Sequence, residues 1–242
     1  MRPFAGAFDF SRRLGVASTL FLLSAAVAAP AQADTLFGIT GGLFAVKSES
    51  NRDVDDVIYQ NRGFLSFDVS DFNGGTIGGE VLVGAGRFLE VGVGAGYYQR
   101  TVPSVYLDFV NVSGREIEQD TELQVVPISA TARLFPLGRD QGVQPYVGGG
   151  IALLNWKYTE SGEFVDFNNG NEVFRDTFTD KGNVTAPVVL GGVRFALSDA
   201  VLLGGEFRYQ AGKADLDPAL GFAGDRLDLG GYTTQLTLHI RF

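Results

Sequence analysis

Between Gly230 and Phe242 apolar and polar side chains alternate without interruption, and a period of two is the mark of a β-strand with one dry and one wet face. Phe242, Ile240, Leu238, Leu236, Thr234 and Tyr232 share one face, while Arg241, His239, Thr237, Gln235, Thr233 and Gly231 share the other. A soluble sandwich and a membrane barrel both bury one face and wet the other, so this strand alone leaves both open.

The rest of the chain repeats the pattern. Period-two runs predict eight strands: Thr35 to Lys47, Gly75 to Gly86, Arg87 to Arg100, Asp120 to Phe135, Val143 to Lys157, Asn183 to Leu197, Ala200 to Gly212, and Asp228 to Phe242. Each reaches the roughly 9 to 11 tilted residues that cross a bilayer. The connections alternate in length: Gly86-Arg87, Pro136 to Gly142 and Ser198-Asp199 are short, whereas Ser48 to Gly74, Thr101 to Gln119, Tyr158 to Gly182 and Lys213 to Leu227 are long. An even strand count with this rhythm predicts an all-β fold, an eight-stranded antiparallel up-and-down transmembrane β-barrel with short periplasmic turns and four longer extracellular loops. Two of the long connections read as strands continued into hairpins, around Ser113-Gly114 and around Asn168-Asn169-Gly170-Asn171, which predicts a β-ribbon standing above the surface. No helical periodicity is visible after the first segment.

That first segment reads as an address. Arg2, Arg12 and Arg13 precede an apolar run from Val16 to Ala29, and Ala31-Gln32-Ala33 supplies small residues for cleavage at Ala31 and Ala33. The expected division is therefore a cleaved signal peptide over 1–33 and a barrel domain over 34–242. Without the signal the 242-residue chain would carry a net charge of −11, and the four long connections hold −4, −2, −4 and −1 of it. Such acidity on display excludes a nucleic-acid partner, whose phosphates need a basic surface. Cysteine is absent, which removes disulfides, thiolate metal sites and cysteine catalysis together.

Fixing the last strand's apolar face outward phases its neighbours. Val91, Val93, Ala95, Tyr97, Leu203, Phe207 and Tyr209 then face lipid, and the lumen receives Glu80, Glu90, Arg133, Arg194, Glu206, Arg208, His239 and Arg241. An Arg on the lipid face near the midplane would cost about 2–4 kcal/mol, so the strand charges belong inside and must pair there. Glu90 with Arg133, and Arg194 with Glu206, are the expected pairs. The fourth to sixth strands phase less cleanly, because Pro127, Pro187 and Gly148-Gly149-Gly150 permit either face. Two aromatic girdles are expected, from Tyr97, Tyr98, Trp156, Tyr158 and Tyr209 at the outer rim and Phe88, Tyr146 and Phe242 at the inner. The glycines are expected to make room for bulky neighbours in a narrow, curved sheet.

Catalysis finds no support. The one histidine, His239, sits at the periplasmic end with no inward serine on a neighbouring strand, so no catalytic residue is assigned. Asp53, Asp55 and Asp56 begin like a calcium loop, but Ile58 stands where glycine is required, so no metal site is assigned and no cofactor is expected.

The terminal Leu236, Leu238, Ile240 and Phe242, ending on an aromatic carboxylate, resemble the C-terminal signature of bacterial outer-membrane barrels. Together with the signal peptide and the segments Ala132-Arg133-Leu134-Phe135-Pro136-Leu137 and Gln144-Pro145-Tyr146-Val147-Gly148-Gly149-Gly150, they make the chain similar to small outer-membrane proteins of the OmpX, OmpW and opacity-porin type. The resemblance implies recognition by the barrel assembly machinery, a setting of outer-membrane lipid and lipopolysaccharide in a Gram-negative bacterium, and no cofactor. Two functions stay open: a structural or surface-interaction protein whose lumen is plugged by charge and whose acidic loops meet an extracellular protein partner, or a narrow porin-like channel or OmpW-like transporter of small or hydrophobic molecules. A soluble lipocalin-like barrel is the third class that alternation allows.

Overall fold

The computed structural model describes residues 34–167 and 169–242. The signal segment with Ala31 and Ala33, and Asn168 in the second hairpin turn, lie outside the described residues. The strands are β1 (Thr35–Val46), β2 (Gly74–Gly84), β3 (Leu89–Val110), β4 (Glu116–Leu134), β5 (Val143–Asp166), β6 (Glu172–Ala196), β7 (Val201–Gln210), β8 (Lys213–Asp215), β9 (Arg226–Asp228) and β10 (Gly231–Arg241). Eight of them close into one antiparallel ring in the order β1-β10-β7-β6-β5-β4-β3-β2, with β1 returning to β2. The seam joins the first and last strands, Phe37 opposite Ile240 and Leu43 opposite Thr234. Closure pairs both edges of every barrel strand and leaves none along the ring.

The outer wall is apolar. Ile39, Leu43, Ile77, Val93, Val147, Ile151, Val189 and Leu236 all point outward and are exposed. A continuous belt of this kind suits hydrocarbon rather than water. It also fixes the strands whose phase is ambiguous in the sequence: in β4 the odd positions Leu123, Val125, Thr131 and Arg133 face in, and in β5 and β6 the even positions Tyr146, Leu154, Val188 and Arg194 do. Pro127 has no N–H to give, and the β3–β4 ladder passes from Ala95↔Ile128 to Tyr98↔Val125 without pairing there.

Strand heights are unequal. β3, β4, β5 and β6 run for 22, 19, 24 and 25 residues, against 10 to 12 for β1, β2, β7 and β10. The four tall neighbours therefore continue as a sheet past the rim opposite the termini, here termed the loop end. The β5–β6 hairpin stays in register up to Asp166↔Glu172 and turns through Gly170 and Asn171, whose φ values of 66° and 59° are left-handed.

The connection from β1 to β2 does not stay outside. It holds a short helix, α1 (Val57–Asn61), between two 3-10 turns, and Val57, Ile58 and Phe72 are fully buried. Five residues of helix are too few to show periodicity, which is why nothing in the sequence announces it. These side chains join Phe44, Tyr98, Leu123, Leu154, Trp156 and Tyr158 in an apolar core that fills the loop-end half of the barrel. Leu216, Leu227 and Leu229, in and around the small β8–β9 sheet, complete it from the last connection. A second cluster, Leu65, Tyr106, Ile117 and Val165, lies against the tall sheet.

This arrangement corrects the expected girdles. Tyr98, Trp156 and Tyr158 point inward and are buried in the core, and Tyr146 is buried at the other end. Their inward parity follows from the β3 and β5 phasing, which overrides their position along the strand. The aromatics that do reach the wall are Tyr97, Phe207, Tyr209 and Tyr232 on the loop-end side, Tyr97 and Tyr209 as expected, and Phe37, Phe88, Phe195 and Phe242 on the other. Phe207, Tyr232 and Tyr209 pack in a row, with successive centroids 5.6 and 5.0 Å apart.

Candidate functional site: a charged lumen under an apolar lid

The half of the lumen nearest the termini is charged and almost dry. Arg133, projected inward by β4, is 1 % exposed. Its Nη2 meets Glu80 Oε2 at 2.7 Å and Glu206 Oε2 at 2.8 Å, and its Nη1 lies 3.6 Å from Glu90 Oε1. Arg194 donates to both oxygens of Glu90, at 3.2 and 2.9 Å. Arg208 grips Glu206 Oε1 through Nε and Nη2 at 3.2 and 2.9 Å, and Gln235 and Tyr146 each donate to the same carboxylate at 3.0 Å. His239 Nε2 lies 2.8 Å from Glu80 Oε1. The Arg194 guanidinium also sits 4.6 Å above the Phe135 ring, and that of Arg133 5.3 Å above Tyr146.

The structure thus gathers Glu80, Glu90, Arg133, Arg194, Glu206, Arg208 and His239, and leaves Arg241 apart. Arg241 is a quarter exposed at the terminal rim, with Asp34 Oδ2 at 3.9 Å. Glu90 and Arg133 are cross-strand partners, the former pairing directly opposite the latter. Arg194 and Glu206 do not pair. The β6–β7 register sets Gly204 opposite Arg194 and Gly192 opposite Glu206, so Arg194 reaches across the lumen to Glu90 instead. Glycine makes the room. A Cβ at Gly192 would lie 2.6 Å from Tyr146 Oη, and one at Gly38 would strike the His239 ring.

Sequence reasoning missed Arg139. It belongs to the Pro136 to Gly142 turn, where no alternation assigns a side, yet it is buried, donates to Gly86 O at 3.0 Å and reaches Glu90 Oε2 at 3.5 Å. A Cβ at Gly84 would overlap its guanidinium, so that inward glycine was the available hint.

Above the charges lies a polar cavity of about 50 Å³, bordered by Thr40, Glu80, Ser129, Arg208, Thr233 and Gln235. This is room for a water or two and nothing larger. Above that, the apolar core begins, and its cover is tied down by charge. Arg52 pairs with Asp56 through Nε at 2.7 Å and Nη2 at 3.0 Å, and donates to Asp228 O. Asp56 also caps α1 at Tyr59 N and accepts from Asp228 N at 2.7 Å. Lys47 Nζ holds Asp228 Oδ2 at 2.8 Å. The aspartates that resembled half a calcium loop are each engaged elsewhere: Asp53 with Lys213, Asp55 with Arg226 and Asp56 with Arg52. The Lys213 hydrogen bond holds the Asp53 carboxyl below its ordinary range. Asn61, at the end of α1, donates to Glu160 Oε1 at 2.6 Å and to Tyr158 Oη at 3.0 Å. Burial pushes the Glu160 carboxyl up, against the lowering effect of the hydrogen bonds from Tyr158, Asn61 and Gln119.

Among the described residues no group of three or more His, Cys, Asp or Glu side chains converges as metal ligands. The chemistry of the lumen is mutual neutralisation: three carboxylates saturated by guanidinium, amide, phenol and imidazole donors.

The terminal face places Leu236, Leu238, Ile240 and Phe242 on the wall, all exposed. No curated protein matches the chain. Solved structures resemble it at low identity: a major outer membrane protein of Thermus thermophilus (11 % identity, TM-score 0.49, covering 87 % of this chain and 100 % of that one), the Neisserial surface protein A (12 %, 0.47, 86 % and 97 %), and Ail, the attachment invasion locus protein of Yersinia pestis (13 %, 0.44, 87 % and 99 %). The family model described as the outer membrane protein beta-barrel domain matches residues 17–242. The chain belongs to the outer membrane protein β-barrel family.

Proposed function

We propose that this outer-membrane barrel is a closed, non-catalytic anchor that carries a surface for contact with other molecules. In this reading the termini face the periplasm and the tall β3–β6 sheet faces outward. The observation that carries it is the double closure of the lumen. Side chains of the ion cluster, at 0 to 8 % exposure for Glu80, Glu90, Arg133, Arg194, Glu206 and His239, occupy one half, and the lid and its apolar core occupy the other. A transporter needs a continuous path, and eight strands leave an interior that side chains fill.

What stands free is the sheet above the rim. β6 pairs with β5 from Glu172 onward but meets β7 only from Val188, and Asp217 N bonds Asp180 Oδ2 within that gap, so among the described residues the stretch 172–179 keeps a second edge with no ladder. The corresponding edge of β3 is taken: Ser66 N bonds Val105 O and Leu107 N bonds Phe64 O. An extended segment of a protein partner adding to the β6 edge is the mode of contact that fits. The wall meets lipid and lipopolysaccharide, and the Leu236 to Phe242 face serves recognition by the barrel assembly machinery.

Planar-bilayer recording tests the reading. The refolded barrel is expected to be electrically silent, and a variant combining R194A and E206A with deletion of residues 48–73 is expected to conduct. Steady conductance in the unaltered protein would overturn the closed anchor and favour the narrow channel, with the lumen charges as its filter.

A further inference from the structure

Glu160 is a buried carboxylate without a cation. It lies on β5 beyond Trp156, past the outward Ile151 and Leu153 of the apolar wall, and is 6 % exposed. Among the described residues no Lys, Arg or His nitrogen comes within 4.0 Å of it. Its neighbours are neutral: Tyr158 Oη at 2.7 Å, Asn61 Nδ2 at 2.6 Å and Gln119 Nε2 at 3.3 Å. Asp56, on the lid side, is already held by Arg52. A negative charge so placed needs a counter-charge.

The residues around Glu160 carry oxygen atoms with nothing to bind. Asn61 Oδ1, Gln119 Oε1 and Thr121 Oγ1 are all buried and have no hydrogen-bond partner. Their residues are only 1 to 2 % exposed. Thr121 is the direct cross-strand partner of Glu160, and Gln119 is the next inward residue on β4. A buried polar atom without a partner is costly, so several around one carboxylate form a costly cluster. A proton on Glu160 would relieve the charge and at most one orphan. One cation would relieve the charge and the Thr121 oxygen together, and the amides of Asn61 and Gln119, whose NH2 groups face Glu160, can turn end for end to offer it oxygen.

We propose that Glu160, Thr121, Gln119 and Asn61 form a binding site for a hard, oxygen-seeking cation of the calcium or sodium kind, which fastens the lid to β4 and β5. The donors are all oxygen, which disfavours zinc. They are irregular and mostly neutral, which suits calcium or sodium and not the strict octahedron of magnesium. A single carboxylate implies the weak affinity of extracellular calcium modules, roughly 0.1–1 mM. Because Asn61 comes from α1 and the other donors from the wall, occupancy holds the lid shut. The site stands whether or not the tall sheet binds a partner.

The test uses the folded barrel in detergent micelles, stripped with chelator and kept at constant ionic strength with choline chloride. Calcium, sodium and magnesium chlorides are titrated separately while the fluorescence of Trp156, the one tryptophan of the chain, follows thermal unfolding. Calcium or sodium is expected to raise the midpoint saturably, with magnesium much weaker, and the arms identify which ion binds. Glu160→Gln is expected to abolish the response. Thr121→Val, which keeps the shape and removes one orphan, is expected to raise the cation-free midpoint and to weaken binding at least about tenfold. D68N with D71N, on the exposed acidic part of the same connection, is expected to leave the response intact. An undiminished response in Glu160→Gln, no saturable response in the unaltered barrel, or a midpoint that follows pH and no metal would each overturn the proposal. Should Glu160→Gln fail to fold, an unchanged affinity in Thr121→Val would overturn it alone.

Discussion

At the scale of single residues, Arg133 is the side chain whose loss exposes most. It neutralises Glu80 and Glu206 directly and lies near Glu90, and all three carboxylates are buried. Arg133→Met keeps the length and removes the charge. It should destabilise the barrel by about 3–5 kcal/mol, read as a lower urea midpoint in lipid vesicles, because uncompensated carboxylates remain in a dry lumen. Adding Glu206→Gln should recover part of that loss. The pairing of Arg194 is separately testable: exchanging charges as R194E with E90R should rescue folding better than R194E with E206R, since Arg194 touches Glu90 and not Glu206. Equal rescue would contradict the geometry. Parity made most of the inward strand charges legible in the sequence, but not Arg139 on its turn, nor that Arg241 stays at the rim. Which of them touch was not legible, because long guanidinium side chains span the lumen and the β6–β7 register is set by hydrogen bonds that residue types do not disclose.

At the scale of elements, the barrel strands and the connection between β1 and β2 behave as different kinds of structure. The strands were readable because eight alternating runs each record a wall with two unlike sides. The lid was not. Its apolar residues Val57, Ile58, Leu65, Val69 and Phe72 look like scattered exposed hydrophobics among acids until tertiary contact assigns them a place in the core. Its seating depends on Asp56, which caps α1, neutralises Arg52 and receives Asp228 N. Asp56→Ala leaves a buried guanidinium without its partner. Limited proteolysis should then cut within 48–73 at least about tenfold faster, in line with a loss of about 1.4 kcal/mol or more in lid docking, while the strands stay protected. Cutting at an unchanged rate would mean that the apolar contacts alone hold the lid.

At the scale of the whole molecule, a closed ring with an apolar belt predicts behaviour that a soluble barrel does not share. The folded chain should require detergent or lipid to stay in solution and should change gel mobility on heating, as the ring opens. Solubility without detergent and a mobility indifferent to heat would return the lipocalin-like class to consideration. The lid adds a consequence for assembly. Arg52 and Asp56 bind Asp228, which lies just before β10, the strand that completes the ring against β1. A half-made barrel has the first strand but not the last, and so lacks the Asp228 anchor of the lid. Full seating of the lid therefore needs the two ends of the chain to have met, and the finished state is marked from within by a latch that spans the seam.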